Sequence, residues 1–167
     1  MRSDTPTPRP VPVAPDQFEV AADDVVFLAD VSATVVLCLY DAVEEPGALL
    51  HLRFIARGEQ RLELTDRTLA TDLLLLDRCV DDLRRVAPRA QNLQGKIAAH
   101  VSEDVTPRAT ADAVIALVSD YLKDADVRIV STNISAHPAR LRFRPSMGQI
   151  HLDPLPPVGG KTSNAAE

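Results

Sequence analysis

Tryptophan is absent from this 167-residue chain, and aromatic residues supply only 4% of it. Any core must therefore be built mainly from aliphatic side chains. Cysteine is almost as scarce. Cys38 and Cys79 each lie inside an apolar run, and neither belongs to a CxxC pair. That pattern excludes a disulfide framework and a zinc ribbon, and predicts two reduced core thiols. No apolar run approaches the roughly 20 residues that cross a bilayer; the longest inside a helical stretch is Leu73 to Leu76. The N-terminus has no apolar segment of signal-peptide type. These absences lead to the expectation of a cytoplasmic protein without membrane insertion. A basic surplus is missing too: the formal net charge is -6, which disfavours nucleic acid and anionic lipid as partners. His51, His100, His137 and His151 show no paired metal-ligand spacing, so neither a metal nor any other cofactor is expected. Gly159-Gly160-Lys161-Thr162 looks like the end of a phosphate loop but lacks the preceding strand and first glycine.

What is present suits one domain. Hydrophobic residues make up 46% and charged residues 25%, an ordinary globular balance at a length that needs no covalent staples. Residues 1–16 carry Pro6, Pro8, Pro10, Pro12 and Pro15, and read as a disordered proline-rich tail. Residues 154–167 read likewise, leaving a folded unit over 17–153. Within it, Val25–Ala29 and the β-branched run Thr34–Tyr40 predict strands, and Ala48–Ile55 returns as a strand after the turn Glu44-Glu45-Pro46-Gly47. A helix is predicted over about 66–86, with Leu69, Leu73, Leu76, Val80 and Leu83 as its apolar stripe, Asp77, Asp81 and Asp82 outside, and Arg78 four residues before Asp82. Leu93–Val101 predicts a strand. Thr106-Pro107 opens a second helix carrying Val114, Leu117, Val118, Tyr121 and Leu122. Val127–Val130 and the hairpin Leu141–Arg144/Gln149–Leu152 close the unit. Two helices among strand hairpins predict an α/β layered sandwich with a mixed or antiparallel sheet. Arg140, Arg142 and Arg144 alternate with Leu141 and Phe143, which puts three guanidinium groups on one strand face. That stripe is either a solvated surface or a docking site for an acidic partner.

The segment Thr34-Val-Val-Leu-Cys-Leu-Tyr-Asp41, followed by Pro46-Gly47 and Leu50-His51, resembles the signature of the chemoreceptor glutamine deamidases, the CheD family. In that family a Gly-Ser-Cys turn leads into an apolar strand ending Tyr-Asp, then a glycine-containing turn and a His. Leu93-Gln-Gly-Lys96, Thr106–Leu122, Ile129-Val130 and Phe143-Arg-Pro-Ser-Met-Gly148 follow in the family's order. The resemblance covers nearly all of 17–153.

The resemblance implies a CheD-like fold and a reaction in which a thiolate attacks a glutamine side-chain amide, with a His as base and a Thr orienting it. The family's Cys position falls on Thr34, its His on His51 with the seventeen-residue spacing kept, and its Thr on Leu28. The glycine turns become Ser32-Ala33 and Ser135-Ala136, with Asn133 at the family's Asp. An internal hydroxyl is a poor nucleophile beside a thiol. The expectation is therefore a chemotaxis protein without deamidase activity that binds chemoreceptors or a CheC-type phosphatase. The alternative is an active hydrolase with a rearranged nucleophile. With no orienting side chain at Leu28 and no glycine turns, Thr34→Cys alone is not expected to create activity.

Overall fold

The computed structural model describes residues 7–53, 61–102 and 108–156. Thr106 and Pro107, the proposed helix start, lie outside the described residues, as does the segment from 157 onward. The chain runs β1 (Arg9–Pro12), β2 (Gln17–Ala21), β3 (Val25–Val31), β4 (Thr34–Asp41), β5 (Gly47–Arg53), α1 (Arg61–Val86), β6 (Leu93–His100), α2 (Arg108–Asp124), β7 (Arg128–Ser135), β8 (Ala139–Arg144) and β9 (Gln149–Pro154). Five strands form one sheet in the order β2-β5-β4-β6-β7, and four form a second in the order β1-β3-β8-β9. Both sheets are mixed: β6 and β7 pair parallel, as do β1 and β3, and the other pairs are antiparallel. The α/β sandwich expected from the sequence is the fold observed.

The central strand β4 is buried at every residue. Its two faces serve two cores, as the period of a strand requires. Val35, Leu37 and Leu39 join Leu50, Leu52, Ile97, Leu76, Leu83, Val114 and Val118 in a core beneath the helices. Val36, Cys38 and Tyr40 join Phe27, Val31, Leu141 and Phe143 in a core between the sheets. Phe143 stacks near Phe27, with ring centroids 6.1 Å apart, and meets Tyr40 edge-on. Phe27, Tyr40 and Phe143 thus cluster in the core between the sheets, while Phe18 and Tyr121 pack against the core beneath the helices. Cys38 and Cys79 are both free and fully buried.

Three expectations need correction. The proline-rich segment is not a tail throughout. Arg9–Pro12 pairs parallel with Val25–Leu28, and Val13 donates its amide to the Leu28 carbonyl at 2.8 Å. Amides in a strand alternate sides, so Pro10 and Pro12 fall on the open edge where no donor is needed. Period-two prolines are compatible with one-sided pairing, and they deny the edge to other chains. Second, of the predicted α1 stripe Leu76, Val80 and Leu83 face the core, but Leu73 does not. Asp72, Leu76, Cys79, Val80 and Leu83 are buried, whereas Leu73 and Leu74 are exposed; four consecutive leucines do not define a helix phase. Third, Asp82 pairs with Arg85 at 3.1 Å rather than with Arg78.

The β4–β5 turn is locked against the β8–β9 hairpin. A Cβ on Gly47 would stand 2.2 Å from the Pro145 Cβ, closer than any packing allows. Gly47→Ala is expected to destabilise the fold by about 1–3 kcal/mol through overpacking, read as a lower urea midpoint with an unchanged slope.

Candidate functional site

Thr34 opens β4 and His51 lies near the end of β5. The register pairs Thr34 with Arg53 and Val36 with His51, so Thr34 and His51 are diagonal neighbours on one face. That face looks toward the second sheet. The two side chains meet: His51 Nε2 is 2.9 Å from Thr34 Oγ1. The other ring nitrogen, Nδ1, is 3.0 Å from the carbonyl oxygen of Val13. A carbonyl only accepts, so Nδ1 carries the proton and donates it there. Nε2 is then an acceptor, and the Thr34 hydroxyl donates to it. Burial holds the imidazole below the usual histidine range, against the opposing pull of the Val13 carbonyl and of Asp16 and Asp30. The ring is therefore neutral at physiological pH, in the tautomer that a general base requires.

These groups line a cleft of about 550 Å³ together with Pro12, Leu28, Ser32 and Arg140. The two side chains sit at its floor, Thr34 with 4% and His51 with 1% of its surface exposed. Thr34→Val would leave Nε2 buried without a donor. The expected cost is about 1–3 kcal/mol, measurable by urea denaturation against wild type.

Leu28, as expected, offers no side-chain hydrogen bond to the imidazole. The ring is nonetheless oriented. The Leu28 backbone fixes Val13, and the Val13 carbonyl fixes His51. The expectation that the site lacks an orienting group is thereby corrected: the group is a main-chain carbonyl from the segment read as a tail. A backbone atom leaves no signature in residue identity. The only signal for it was the period-two spacing of the prolines.

The turn before Thr34 is strained. Ala33 adopts φ 54 without being glycine, a left-handed conformation that costs about a kcal/mol for a residue with a Cβ. Its amide donates to His100 Nδ1 at 2.8 Å. That donor is already used by His100.

Arg140, Arg142 and Arg144 do alternate on one face of β8. Each meets a carboxylate of this chain: Arg140 with Asp30 at 2.8 Å, Arg142 with Asp153 at 3.2 Å and Arg144 with Asp24 at 2.6 Å. Ser146 adds a hydrogen bond to Asp24, and Arg144 holds the Asp24 carboxyl below its ordinary range. Arg140 stands at the rim of the Thr34–His51 cleft; the other two do not line it. Lys96 also lies outside the cleft, donating to the Gly148 carbonyl at 2.7 Å above the Tyr40 ring. Among the described residues no group of three or more His, Cys, Asp or Glu side chains could hold a metal ion, and no helix is long and apolar enough to cross a membrane.

No family model matches the chain. Curated relatives do. It is 22% identical over 150 residues to a Burkholderia thailandensis protein named "Probable chemoreceptor glutamine deamidase CheD 1", covering 88% of this chain and 64% of that protein. A Burkholderia vietnamiensis protein of the CheD name is 23% identical over 156 residues, covering 91% of this chain and 63% of its own length. A Burkholderia mallei protein of that name is 21% identical over 148 residues, with 87% and 63% covered. This chain is distantly similar to these CheD proteins. It spans a little under two thirds of the length of these relatives. The CheD-like resemblance read from the sequence thus extends across both sheets and both helices.

Proposed function

We propose that this CheD-like chain is a chemotaxis protein that acts by binding chemoreceptors or a CheC-type phosphatase and does not deamidate glutamine. The observation that carries this reading is the Thr34 hydroxyl, hydrogen-bonded to His51 at 2.9 Å, at the position where the family's register puts its cysteine. A threonine alkoxide is not accessible near neutral pH, and an amide is a demanding electrophile. The cleft, about 550 Å³, holds His51, and a shaped surface is what binding needs. Leu28, Thr34 and His51 are the family positions concerned. Arg140 at the rim is the member of the arginine stripe placed to meet a bound partner, provided that partner displaces Asp30.

A second reading rests on the same pair. The tautomer, the buried base and the oriented ring suit a hydrolase whose nucleophile is Thr34. Ammonia release from purified receptor fragments separates the two. The binding reading expects no release above a Thr34→Ala control, together with retention of the receptor fragment or a CheC-type protein on the immobilised chain. Turnover that Thr34→Ala abolishes would establish the hydrolase instead.

A further inference from the structure

On the far side of the β3–β4 turn from the cleft lies His100, with 7% of its surface exposed. Its Nδ1 accepts the Ala33 amide at 2.8 Å, and its ring also meets the backbone of Ala136. An amide N–H can only donate, so Nδ1 must carry a lone pair. His100 is thus held neutral with its proton on Nε2, turned toward the Ala136 carbonyl. It ties the last residue before Thr34 to the loop between β7 and β8. We propose that His100 is a proton-sensitive latch on the turn that carries Thr34, closed when the imidazole is neutral and released when it becomes imidazolium.

Two facts make the tie consequential. An imidazolium has a proton on both nitrogens and cannot accept the Ala33 amide. Ala33 is in the left-handed region, a conformation that persists only while neighbouring contacts impose it. Losing the bond removes a contact that imposes it, and both residues flanking Ala33, Ser32 and Thr34, line the cleft. Protonation on one side of the turn therefore reaches the Thr34–His51 pair on the other. Among the described residues, the titratable group facing His100 is His137, from the β7–β8 loop. Val31 of β3, Asn133 and Ser135 of β7, Ala139 of β8 and Leu152 of β9 bring no charge to it. Burial and His137 both oppose the imidazolium, the Ala136 backbone favours it, and the net effect is a lowered titration. The latch stays closed at neutral pH and opens on acidification below the ordinary histidine range.

The inference rests on the geometry of the turn and not on whether the cleft binds or hydrolyses, so its test reads neither. In the full chain, nitrogen-detected NMR of the His100 ring at pH 7.5 is expected to show the Nε2–H tautomer. On acidification, the Ala33 amide resonance should move with the same midpoint as the His100 ring. Hydrogen-exchange protection of that amide should fall at least tenfold across the transition, while the Leu37 amide in mid-β4 keeps its protection. His137→Ala should raise the shared midpoint without uncoupling the two signals. An Nδ1–H tautomer at pH 7.5, or an Ala33 amide that keeps its shift and protection through the His100 titration, would overturn the latch.

Discussion

Thr34→Cys is expected to gain a fast-reacting thiol and still release no ammonia from receptor glutamines. The new Sγ would lie within reach of His51 Nε2, which the Thr34 hydroxyl now meets at 2.9 Å. The imidazole is already oriented by the Val13 carbonyl, so it can take the thiol proton and hold a thiolate–imidazolium pair. Such pairing lowers a cysteine pKa by several units, and at pH 6 the thiolate is the reactive species. Alkylation by iodoacetamide at pH 6 should run roughly tenfold or more faster than in the same variant unfolded in urea, even with limited access. Thr34→Cys combined with His51→Ala should lose that advantage. In the folded state the background is silent, because Cys38 and Cys79 are fully buried and their thiols are pushed well up by desolvation; in urea, labelling of residue 34 is read separately from theirs by peptide mass. Turnover needs more than the nucleophile. An oxyanion wants preorganised donors, and the Ala33 amide beside residue 34 is committed to His100. Slow alkylation, indifferent to His51, would show that the pair is a structural hydrogen bond only. Ammonia release by the single variant would show that the donors are present after all.

Much of this was open to sequence reasoning, for reasons that differ by element. Strands β3, β4, β5, β6 and β8 announce themselves by β-branched runs and alternation. Their register brings Thr34 and His51 together, so a spacing of seventeen residues across one hairpin became a hydrogen bond. Pairing of Arg140, Arg142 and Arg144 on one face was readable from alternation. Their neutralisation by Asp30, Asp153 and Asp24 was not, because those carboxylates come from 110, 11 and 120 residues away or across another turn. β1 is hidden in composition, because a high proline count reads as tail; only the period-two spacing of the prolines is compatible with its one-sided pairing to β3. Leu76, Val80 and Leu83 mark the inner face of α1 as the spacing predicts, and Leu73 does not, because leucine occurs at every position from 73 to 76 and periodicity alone cannot rank them; Cys79 completes that face. His100 looked like a strand residue with no role, since the partner that gives it one is a main-chain amide.

The inner face of α1 also buries a carboxyl group, Asp72, beside Leu76 and Cys79. Asp72 retains 2% of its surface, and its Oδ2 has no hydrogen-bond partner. Desolvation, then the nearby Asp16 carboxylate, push it up to about 7. The folded state therefore binds a proton more tightly than the unfolded chain, whose Asp titrates near 3.8. Between about pH 4 and pH 7 the native form holds more protons at this site than the unfolded one, so stability falls as pH rises and levels off above the folded value. At 1.36 kcal/mol per pKa unit the span is on the order of 4 kcal/mol. His51 and His100 work in the opposite sense. Both are lowered by burial, so their contribution is fully present above the ordinary histidine value and is lost as pH falls from there through the lowered folded value. A single pH–stability curve would mix these trends. The difference between Asp72→Asn and wild type isolates the carboxyl. Asparagine cannot ionise, and its buried amide brings only a constant offset. The free-energy difference from urea unfolding should swing in favour of Asp72→Asn by several kcal/mol between pH 4 and pH 7.5, then stay flat. A difference independent of pH would mean that Asp72 is solvated or paired in solution, and that the inner face of α1 is not the one described.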